Sequence, residues 1–369
     1  MQTASDVVRA DLDYIIDNAA HELSAISGDR VLITGGAGFL GYYLVKSLLH
    51  WNMQNPGRPI EIVLSDSFLR GEPAWVTALR ETPHCRVLNW DVRLPWPAEL
   101  PTCPWVIHGA SIASPTYYRK WPIETIEANI VGLLTLLHRC REERARGGAV
   151  KGVLFFSSSE IYGDPDPANI PTAESYRGNV SCTGPRACYD ESKRLGEAIC
   201  TSFVSQHDLR VVAARPFNNY GPGLKITDRR VLPDFARNIF SGEDIVLLSD
   251  GSPTRTFCYV ADAVVGYLKA LVNGTAGEAY NIGVEGPEIS MYELASKVAE
   301  LGRELFDYRG TVLRAQDQDI AYLTDNPNRR CPLIGKARVE LGYEPRIGLD
   351  EGLRRSLLWY AENRGGADA

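Results

Sequence analysis

The sequence predicts an α/β protein built on a doubly wound parallel sheet, with a smaller α/β lobe beside it. Short apolar runs that end in polar residues alternate with helical patterns, such as IETIEANIVGLLTLLHRCREERA over residues 123–145. Strands that alternate with helices form parallel sheets with right-handed crossovers. A glycine-rich turn also joins the first of these runs to a helix. The chain has 369 residues, which is enough for two lobes.

The bulk properties argue against several classes of partner and site. The formal net charge of −7 argues against nucleic acid as a partner. No apolar run approaches the roughly 18 residues that a membrane span needs, and no signal peptide opens the chain. The cysteines are scattered without a CxxC pair and the histidines are equally dispersed, so we expect reduced thiols and no metal site. These features favour a cytoplasmic protein that does not bind membranes.

The predicted elements follow one another in a regular order. Residues 6–26 carry apolar side chains at helical spacing and predict an amphipathic helix, which packs either on the body of the protein or on a partner subunit. A strand, the glycine turn and a helix follow in RVLITGGAGFLGYYLVKSLLHW, and further strands are predicted in EIVLSDS, WVIHGAS, VLFFSSSE and LRVVAARPFN. After about residue 216 the chain changes to shorter elements and loops rich in proline and glycine. We therefore expect an N-terminal helical extension at 1–28, a first domain at 29–215 with a returning segment at about 258–283, and a second lobe at 216–257 and 284–364.

The glycine-rich turn has the spacing GxxGxxG. Glycines at these positions allow a tight turn, a close approach of the backbone to a pyrophosphate, and close packing of the helix on the strand. The N-terminus of the following helix turns its free N–H groups towards the phosphates. This arrangement is typical of the dinucleotide site of a Rossmann sheet. The contacts expected from it are Gly35, Gly38, Phe39, Leu40 and Gly41.

An acidic residue ends the strand that follows the glycine turn. The carboxylate of Asp66 can accept hydrogen bonds from an adenosine ribose and would repel a 2′-phosphate, which favours NAD over NADP. Arg70 lies close by in the sequence and keeps NADP as the alternative. Asp91 follows another predicted strand in LNWDVR, and either holds the adenine edge or is a plain turn carboxylate.

The stretch GPRACYDESKR places Tyr189 four residues before Lys193. Positions i and i+4 share one face of a helix, so the phenol and the ammonium are expected to project together. A phenol has a reference pKa of about 10, and a fixed ammonium beside it favours the phenolate. The pair therefore suits proton abstraction from an alcohol while a hydride leaves for NAD. The spacing alone is a common coincidence, but FFSSSEIYG adds Ser158 and Glu160 at the end of a strand, from which hydroxyls reach a nicotinamide site.

From about residue 29 to 362 the chain resembles the extended short-chain dehydrogenase/reductases that act on nucleotide sugars, and within them the UDP-glucuronate decarboxylases. The resemblance lies in GPRACYDESKR, SSSEIYGDP, GSPTRTF and DNPNRRCPLIGKA. It implies that Ser158 supplies a hydroxyl, Tyr189 is the base and Lys193 is its helper, and that Tyr189 and Lys193 also contact the cofactor. Glu160 and Arg330 match two further residues associated with decarboxylation, which implies conversion of UDP-glucuronate to UDP-xylose with a recycled NAD. The alternative is that this last pair forms only structural salt bridges.

The resemblance also implies substrate contacts and a partner subunit. Residues of HGASIASPTYY are expected to border the sugar. Residues of the second lobe are expected to hold the nucleotide diphosphate, because the forked donors of arginine match phosphate oxygens. The helix around residues 122–140 and the helix of the 180s–200s are expected to form a homodimer interface. The expected substrate contacts are Ser111, Ser114, Tyr118, Asn218, Arg230 and Arg255.

Other functions stay open at the level of sequence. A nucleotide-sugar 4-epimerase or 4,6-dehydratase shares the oxidation at C4, and Glu160 alone does not exclude dehydration. A non-catalytic NAD-sensing protein of the same fold is a third class, which the intact Ser158, Tyr189 and Lys193 disfavour. The chain departs from the decarboxylase pattern at GASIASP, where LASPASP is usual, at Gly223, where an arginine is common, and in its N-terminal helix.

Overall fold

The computed structural model of the protein describes residues 2–247, 249–314 and 324–364. Its strands are β1 (Arg30–Thr34), β2 (Glu61–Asp66), β3 (Cys85–Asn89), β4 (Trp105–His108), β5 (Gly152–Phe156), β6 (Val211–Pro216), β7 (Asn219–Tyr220), β8 (Ile245–Leu247), β9 (Thr254–Arg255), β10 (Cys258–Tyr259), β11 (Ala279–Ile282), β12 (Ile289–Ser290), β13 (Val312–Arg314) and β14 (Arg329–Arg330). Its α-helices are α1 (Ala4–Ile26), α2 (Phe39–Gln54), α3 (Ala74–Thr77), α4 (Pro115–Lys120), α5 (Pro122–Ala145), α6 (Ala187–His207), α7 (Val231–Ser241), α8 (Val260–Asn273), α9 (Met291–Phe306), α10 (Gly335–Leu341) and α11 (Leu349–Glu362).

The central feature is a seven-stranded parallel sheet with the strand order β3-β2-β1-β4-β5-β6-β11. This order confirms the predicted α/β fold with a doubly wound parallel sheet. The chain reverses its direction across the sheet between β1 and β4. In open sheets of this kind, ligands bind outside the carboxyl ends of the strands at that reversal.

Helices cover both faces of the sheet, and β1 shows how the sequence divides between them. Val31 and Ile33 belong to the core formed with α2 and α8, whereas Leu32 belongs to the core formed with α5 and α6. Successive side chains of a strand point to opposite faces, so a strand buried on both faces is apolar throughout. The register sets Ile33 beside Leu64 of β2 and Ile107 of β4.

The N-terminal helix α1 lies against α2, α8 and α11 of its own chain. Thr3 and Asp6 form a reciprocal capping box at its start. Asp11 is fully buried and accepts hydrogen bonds from Tyr43 Oη at 2.5 Å and Tyr259 Oη at 2.6 Å. The structure therefore favours packing on the body of the protein, the first of the two alternatives.

The described residues after β6 form three small sheets. These are β7 with β10, β9 between β12 and β14, and β8 with β13. The segment expected to return to the first domain contains β10, α8 and β11, and β11 pairs with β6 in the central sheet. The domain bounds stay a prediction, and residues 315–323 of the expected second lobe lie outside the described residues. Within the described ranges, no helix combines the length and the apolar character that crossing a bilayer requires.

Helices α5 and α6, expected at a homodimer interface, pack against each other within the chain. Their outer surfaces expose Ile123, Ile126 and Leu195. The homodimer stays a prediction.

Candidate active site

A cavity of about 860 Å³ lies at the carboxyl ends of β1, β4 and β5. Small-molecule sites span roughly 300 to 1,000 Å³, so this cavity is large for its kind. Every site residue predicted from the sequence lies on it, although their roles stay predictions. These residues are Gly35, Gly38, Phe39, Leu40, Gly41, Asp66, Asp91, Ser111, Ser114, Tyr118, Ser158, Glu160, Tyr189, Lys193, Asn218, Arg230, Arg255 and Arg330.

The glycine turn leaves no room for side chains. Gly35 has a φ of +69°, and a Cβ there would lie 2.7 Å from the backbone nitrogen of Ala110. Gly38 precedes α2 with an extended backbone, so the free N–H groups of the first turn of α2 face the cavity end of the sheet. A ligand phosphate can therefore approach the backbone closely here.

Asp66 at the end of β2 is tied to this turn. Its Oδ2 accepts a hydrogen bond from Ala37 N at 3.1 Å, and its Oδ1 accepts one from Phe68 N at 2.9 Å. Burial nevertheless raises the pKa of its carboxyl above the usual value. Arg70, the residue that kept NADP open, forms an ion pair with Asp228 at 3.0 Å and does not contact Asp66.

Asp91 is engaged within its own turn. Arg93 donates to it from the backbone N at 3.0 Å and from Nη2 at 2.6 Å. The hydrogen bonds from Arg93 lower the pKa of the Asp91 carboxyl. Asp91 pairs with Arg93 and also lines the cavity, so the adenine contact and the plain turn carboxylate both stay open.

Tyr189 and Lys193 lie on one face of α6, as the spacing predicts. Lys193 Nζ donates to Phe156 O at 2.7 Å and lies 5.6 Å from the centre of the Tyr189 ring. The ring of Tyr118 stacks on that of Tyr189 with the ring centres 5.2 Å apart. Ser158 follows β5, and its Oγ accepts a hydrogen bond from Glu160 N at 3.2 Å. The serine, the phenol and the ammonium therefore meet at one end of the cavity.

The direction of the Tyr189 shift differs from the one expected from the sequence. Burial raises the pKa of the phenol to about 12, although a hydrogen bond with Ser158 opposes this. Burial also lowers the pKa of Lys193 to about 7, so its ammonium is only partly charged at neutral pH. In the chain alone, burial therefore outweighs the hydrogen bond from Ser158, and the role of Lys193 as the helper of Tyr189 stays a prediction. A positive charge has to be added beside the phenol before it becomes an effective base.

Glu160 is held by two buried arginines. Arg330 binds it through both terminal nitrogens, at 2.7 and 2.5 Å, and Arg186 binds its Oε2. Burial would raise the pKa of the Glu160 carboxyl, but Arg186 and Arg330 hold it at about 2. Asp190 lies 3.7 Å from Arg186, and burial together with Glu160 raises its pKa to about 8. We call these four residues the Glu160 cluster.

Arg186 is a cavity residue that the sequence reasoning missed. It stands within GPRACYDESKR, three residues before Tyr189. Its closeness to Tyr189 at the start of the same helix could have indicated a place in the site. Asp228 was also missed; it lines the cavity, is buried, and forms ion pairs with both Arg70 and Arg230 at 3.0 Å.

The predicted substrate contacts are held in place by neighbouring backbone. Asn218 Nδ2 donates to Thr256 O at 2.9 Å, and Ser114 Oγ donates to Asp228 O at 3.0 Å. Arg255 donates to the backbone oxygens of residues 254, 327 and 328. Ser111 Oγ is buried without a hydrogen-bond partner among the described residues, which leaves it available to a ligand.

A family model called "NAD dependent epimerase/dehydratase family" matches residues 31–283, more than half of the chain. The chain belongs to this family. Members are NAD-dependent, and the chain is accordingly an NAD-dependent enzyme that modifies nucleotide sugars. The tight glycine turn and Asp66 fit a bound dinucleotide.

Within the epimerase/dehydratase family, the chain is similar to several characterised proteins. It is 36% identical to UDP-glucuronic acid decarboxylase 6 of Arabidopsis thaliana, over 89% of this chain and 87% of the relative. It is 34% identical to UDP-glucuronic acid decarboxylase 1 of Xenopus tropicalis, over 92% of this chain and 73% of the relative. Among solved structures, a dTDP-glucose 4,6-dehydratase from Streptomyces venezuelae with NAD bound is 27% identical, with a TM-score of 0.76 and coverage of 91% of this chain and 98% of that one.

Proposed function

We propose that the protein converts UDP-glucuronate to UDP-xylose and CO2 with a recycled NAD. The observation that carries the proposal is the 36% identity to a UDP-glucuronic acid decarboxylase over 89% of the chain. The Glu160 cluster supports it, because two buried arginines beside the Tyr189 end of the cavity suit a sugar that carries a carboxylate.

The first step is oxidation of the sugar at C4. NAD, held at the glycine turn and Asp66, would supply the acceptor for the C4 hydride and the source of its return. Ser158 orients the C4 hydroxyl and Tyr189 takes its proton. Burial keeps the pKa of Tyr189 at about 12 in the chain alone, so the positive charge of the oxidised cofactor is needed to draw out the phenolate. Lys193, anchored on Phe156 O at 2.7 Å, keeps its partial positive charge next to the phenol.

The second step is loss of CO2. A ketone at C4 makes the C6 carboxylate a β-keto acid. The C5–C6 bond breaks, its electron pair enters the enolate of the C4 ketone, and C6 leaves as CO2. A proton then adds to C5, and hydride return with a proton from Tyr189 restores the C4 hydroxyl. The protein therefore supplies mainly oxidation, positioning and protonation.

Glu160 and Arg330 act on the second step in this proposal. Arg330 positions the sugar ring. It does not bind the C6 carboxylate tightly, because strong binding of the ground-state carboxylate would hinder the loss of CO2. Glu160 limits this binding, because it already occupies both terminal nitrogens of Arg330. We expect Glu160→Ala or Arg330→Ala to lower the flux to UDP-xylose by about two to four orders of magnitude.

The test is to incubate the purified protein and NAD with a panel of nucleotide sugars and to identify the products by mass and NMR. We expect UDP-glucuronate to yield CO2 and UDP-xylose, with some UDP-4-keto-pentose. Dehydration or 4-epimerisation of another nucleotide sugar, without CO2 from UDP-glucuronate, would overturn the proposal in favour of those reactions.

A further inference from the structure

Arg186 lies on the cavity at the start of α6 and shares one carboxylate with Arg330. Both guanidinium groups are buried, with residue exposures of 8% each. Arg330 takes both oxygens of Glu160 in a forked pair, whereas Arg186 contacts Oε2 alone. Arg186 is therefore the less completely neutralised of the two cations.

The charges of the Glu160 cluster do not balance at neutral pH. Glu160 is ionised because its arginines keep its pKa at about 2. Burial and Glu160 raise the pKa of Asp190, which favours its neutral form. Two guanidinium cations therefore face one carboxylate in a buried position, which leaves a surplus of one positive charge. A buried surplus charge is unfavourable unless a ligand of opposite charge arrives.

The cluster also holds unused hydrogen-bonding atoms. Nε of Arg186, Nε of Arg330 and Oδ1 of Asp190 are buried without a hydrogen-bond partner among the described residues. Buried polar atoms are rarely left unpaired in proteins, and those that are call for an explanation such as a missing ligand or water. The surplus charge and the unused donors are separate observations, and both fit an anion.

We propose that Arg186 recognises the carboxylate of a nucleotide-sugar uronate, and that Glu160 occupies this position on Arg186 in the free protein. The inference rests on the proposed function and adds the residue that distinguishes a C6 carboxylate from a C6 hydroxymethyl group. When the uronate binds, its carboxylate replaces Glu160 on Arg186 and compensates the surplus charge. Glu160 stays in its forked pair with Arg330, so neither arginine is left unpaired. A neutral C6 group cannot make this exchange.

The exchange sets a measurable selectivity. Hydrogen bonds to charged groups contribute about 1.5–3 kcal/mol, which corresponds to about 10- to 100-fold in affinity. UDP-glucuronate should therefore bind at least about tenfold more tightly than UDP-glucose. The nucleotide part is the same in both, so binding of UDP alone should not depend on Arg186.

The test measures binding by calorimetry to NAD-loaded protein that carries Tyr189→Phe, so that turnover does not interfere. The ligands are UDP, UDP-glucose and UDP-glucuronate. Adding Arg186→Gln should weaken UDP-glucuronate about 10- to 100-fold and leave the other two within about threefold. Arg329→Gln is the matched control, since this neighbour of Arg330 binds Glu288 and does not line the cavity. It should change none of the three affinities.

Glu160→Gln, added to the Tyr189→Phe protein, gives a second test in which the affinity for UDP-glucuronate should rise instead of fall. Removal of the competing anion should tighten UDP-glucuronate several-fold without tightening UDP-glucose. This variant carries the test if Arg186→Gln no longer binds UDP. The inference would be overturned if Arg186→Gln kept its preference for UDP-glucuronate over UDP-glucose. It would also be overturned if Glu160→Gln bound UDP-glucuronate no more tightly than the parent protein does. CO2 release by wild-type protein reports on the proposed function separately, so the two ideas can fail independently.

Discussion

Replacement of Glu160 by glutamine should destabilise the folded protein as well as impair its chemistry. The amide keeps the shape of the side chain but removes the anion that two buried arginines share. Removing one partner of a buried ion pair typically costs about 3–5 kcal/mol. The pKa of Glu160 gives a similar figure, because its fall from 4.5 to about 2 corresponds to about 3 kcal/mol at 1.36 kcal/mol per unit.

Glu288→Gln is the matched control for this variant. Glu288 forms the same forked pair with Arg329, at 2.9 and 2.7 Å, but the side chain of Arg329 is 44% exposed. An exposed pair contributes at most about 1 kcal/mol. The two pairs involve consecutive arginines of β14 and differ in burial and in the second arginine, Arg186, which only Glu160 contacts.

The assay is thermal unfolding by scanning calorimetry with saturating NAD. For a chain of this size, each kcal/mol lost from the free energy of unfolding lowers Tm by about 2 °C. Glu160→Gln should therefore lower Tm by about 6 °C, and Glu288→Gln by about 2 °C or less. The folded-state pKa of Glu160 lies below its usual value, so its contribution is complete above about pH 4.5 and is lost as the pH falls towards 2. A Glu160→Gln protein within about 1 °C of wild type at pH 7 would refute this reasoning.

Three further outcomes are expected from the same structure. Tyr189→Phe should lower NADH formation with UDP-glucuronate by at least about a hundredfold in stopped-flow absorbance, with NAD affinity unchanged; near wild-type rates would remove Tyr189 from the mechanism. NAD should bind at least about tenfold more tightly than NADP in fluorescence titrations, because the Asp66 carboxylate lines the cavity beside the glycine turn and would repel a 2′-phosphate; equal affinities would contradict this role. Asp11→Asn should lower the free energy of unfolding by about 3 kcal/mol in urea, because Asp11 binds Tyr43, Tyr259 and the Arg355 guanidinium at 2.6 Å; an unchanged midpoint would contradict a stabilising role of these contacts.

Features encoded within a short stretch could be predicted from the sequence. The glycine turn follows from its strand and helix neighbours, and Tyr189 and Lys193 share a face because four residues make about one helical turn. The parallel, doubly wound sheet follows from the alternation of strands and helices, since crossovers in parallel sheets are right-handed.

Features that depend on distant pairs could not be predicted in this way. Glu160 and Arg330 are 170 positions apart, and only the family resemblance brought them together in advance. The sharing of Glu160 between two arginines depends on Arg330 of β14 and Arg186 before α6 reaching the same carboxylate, which no local pattern encodes. The raised pKa of Tyr189 was missed for the same reason, because burial is a property of the whole fold and here outweighs the hydrogen bond from Ser158.

The most direct test of the central claim follows the C6 carbon of the substrate. Protein and NAD are incubated with UDP-glucuronate labelled with ¹³C at C6, in D2O, and the products are examined by NMR and mass spectrometry. The proposed reaction predicts that the label leaves as ¹³CO2 and that the nucleotide product is UDP-xylose with one deuterium at C5. A label that stays in the nucleotide sugar, whether as unchanged substrate or as a C4 epimer, would contradict the assignment as a decarboxylase.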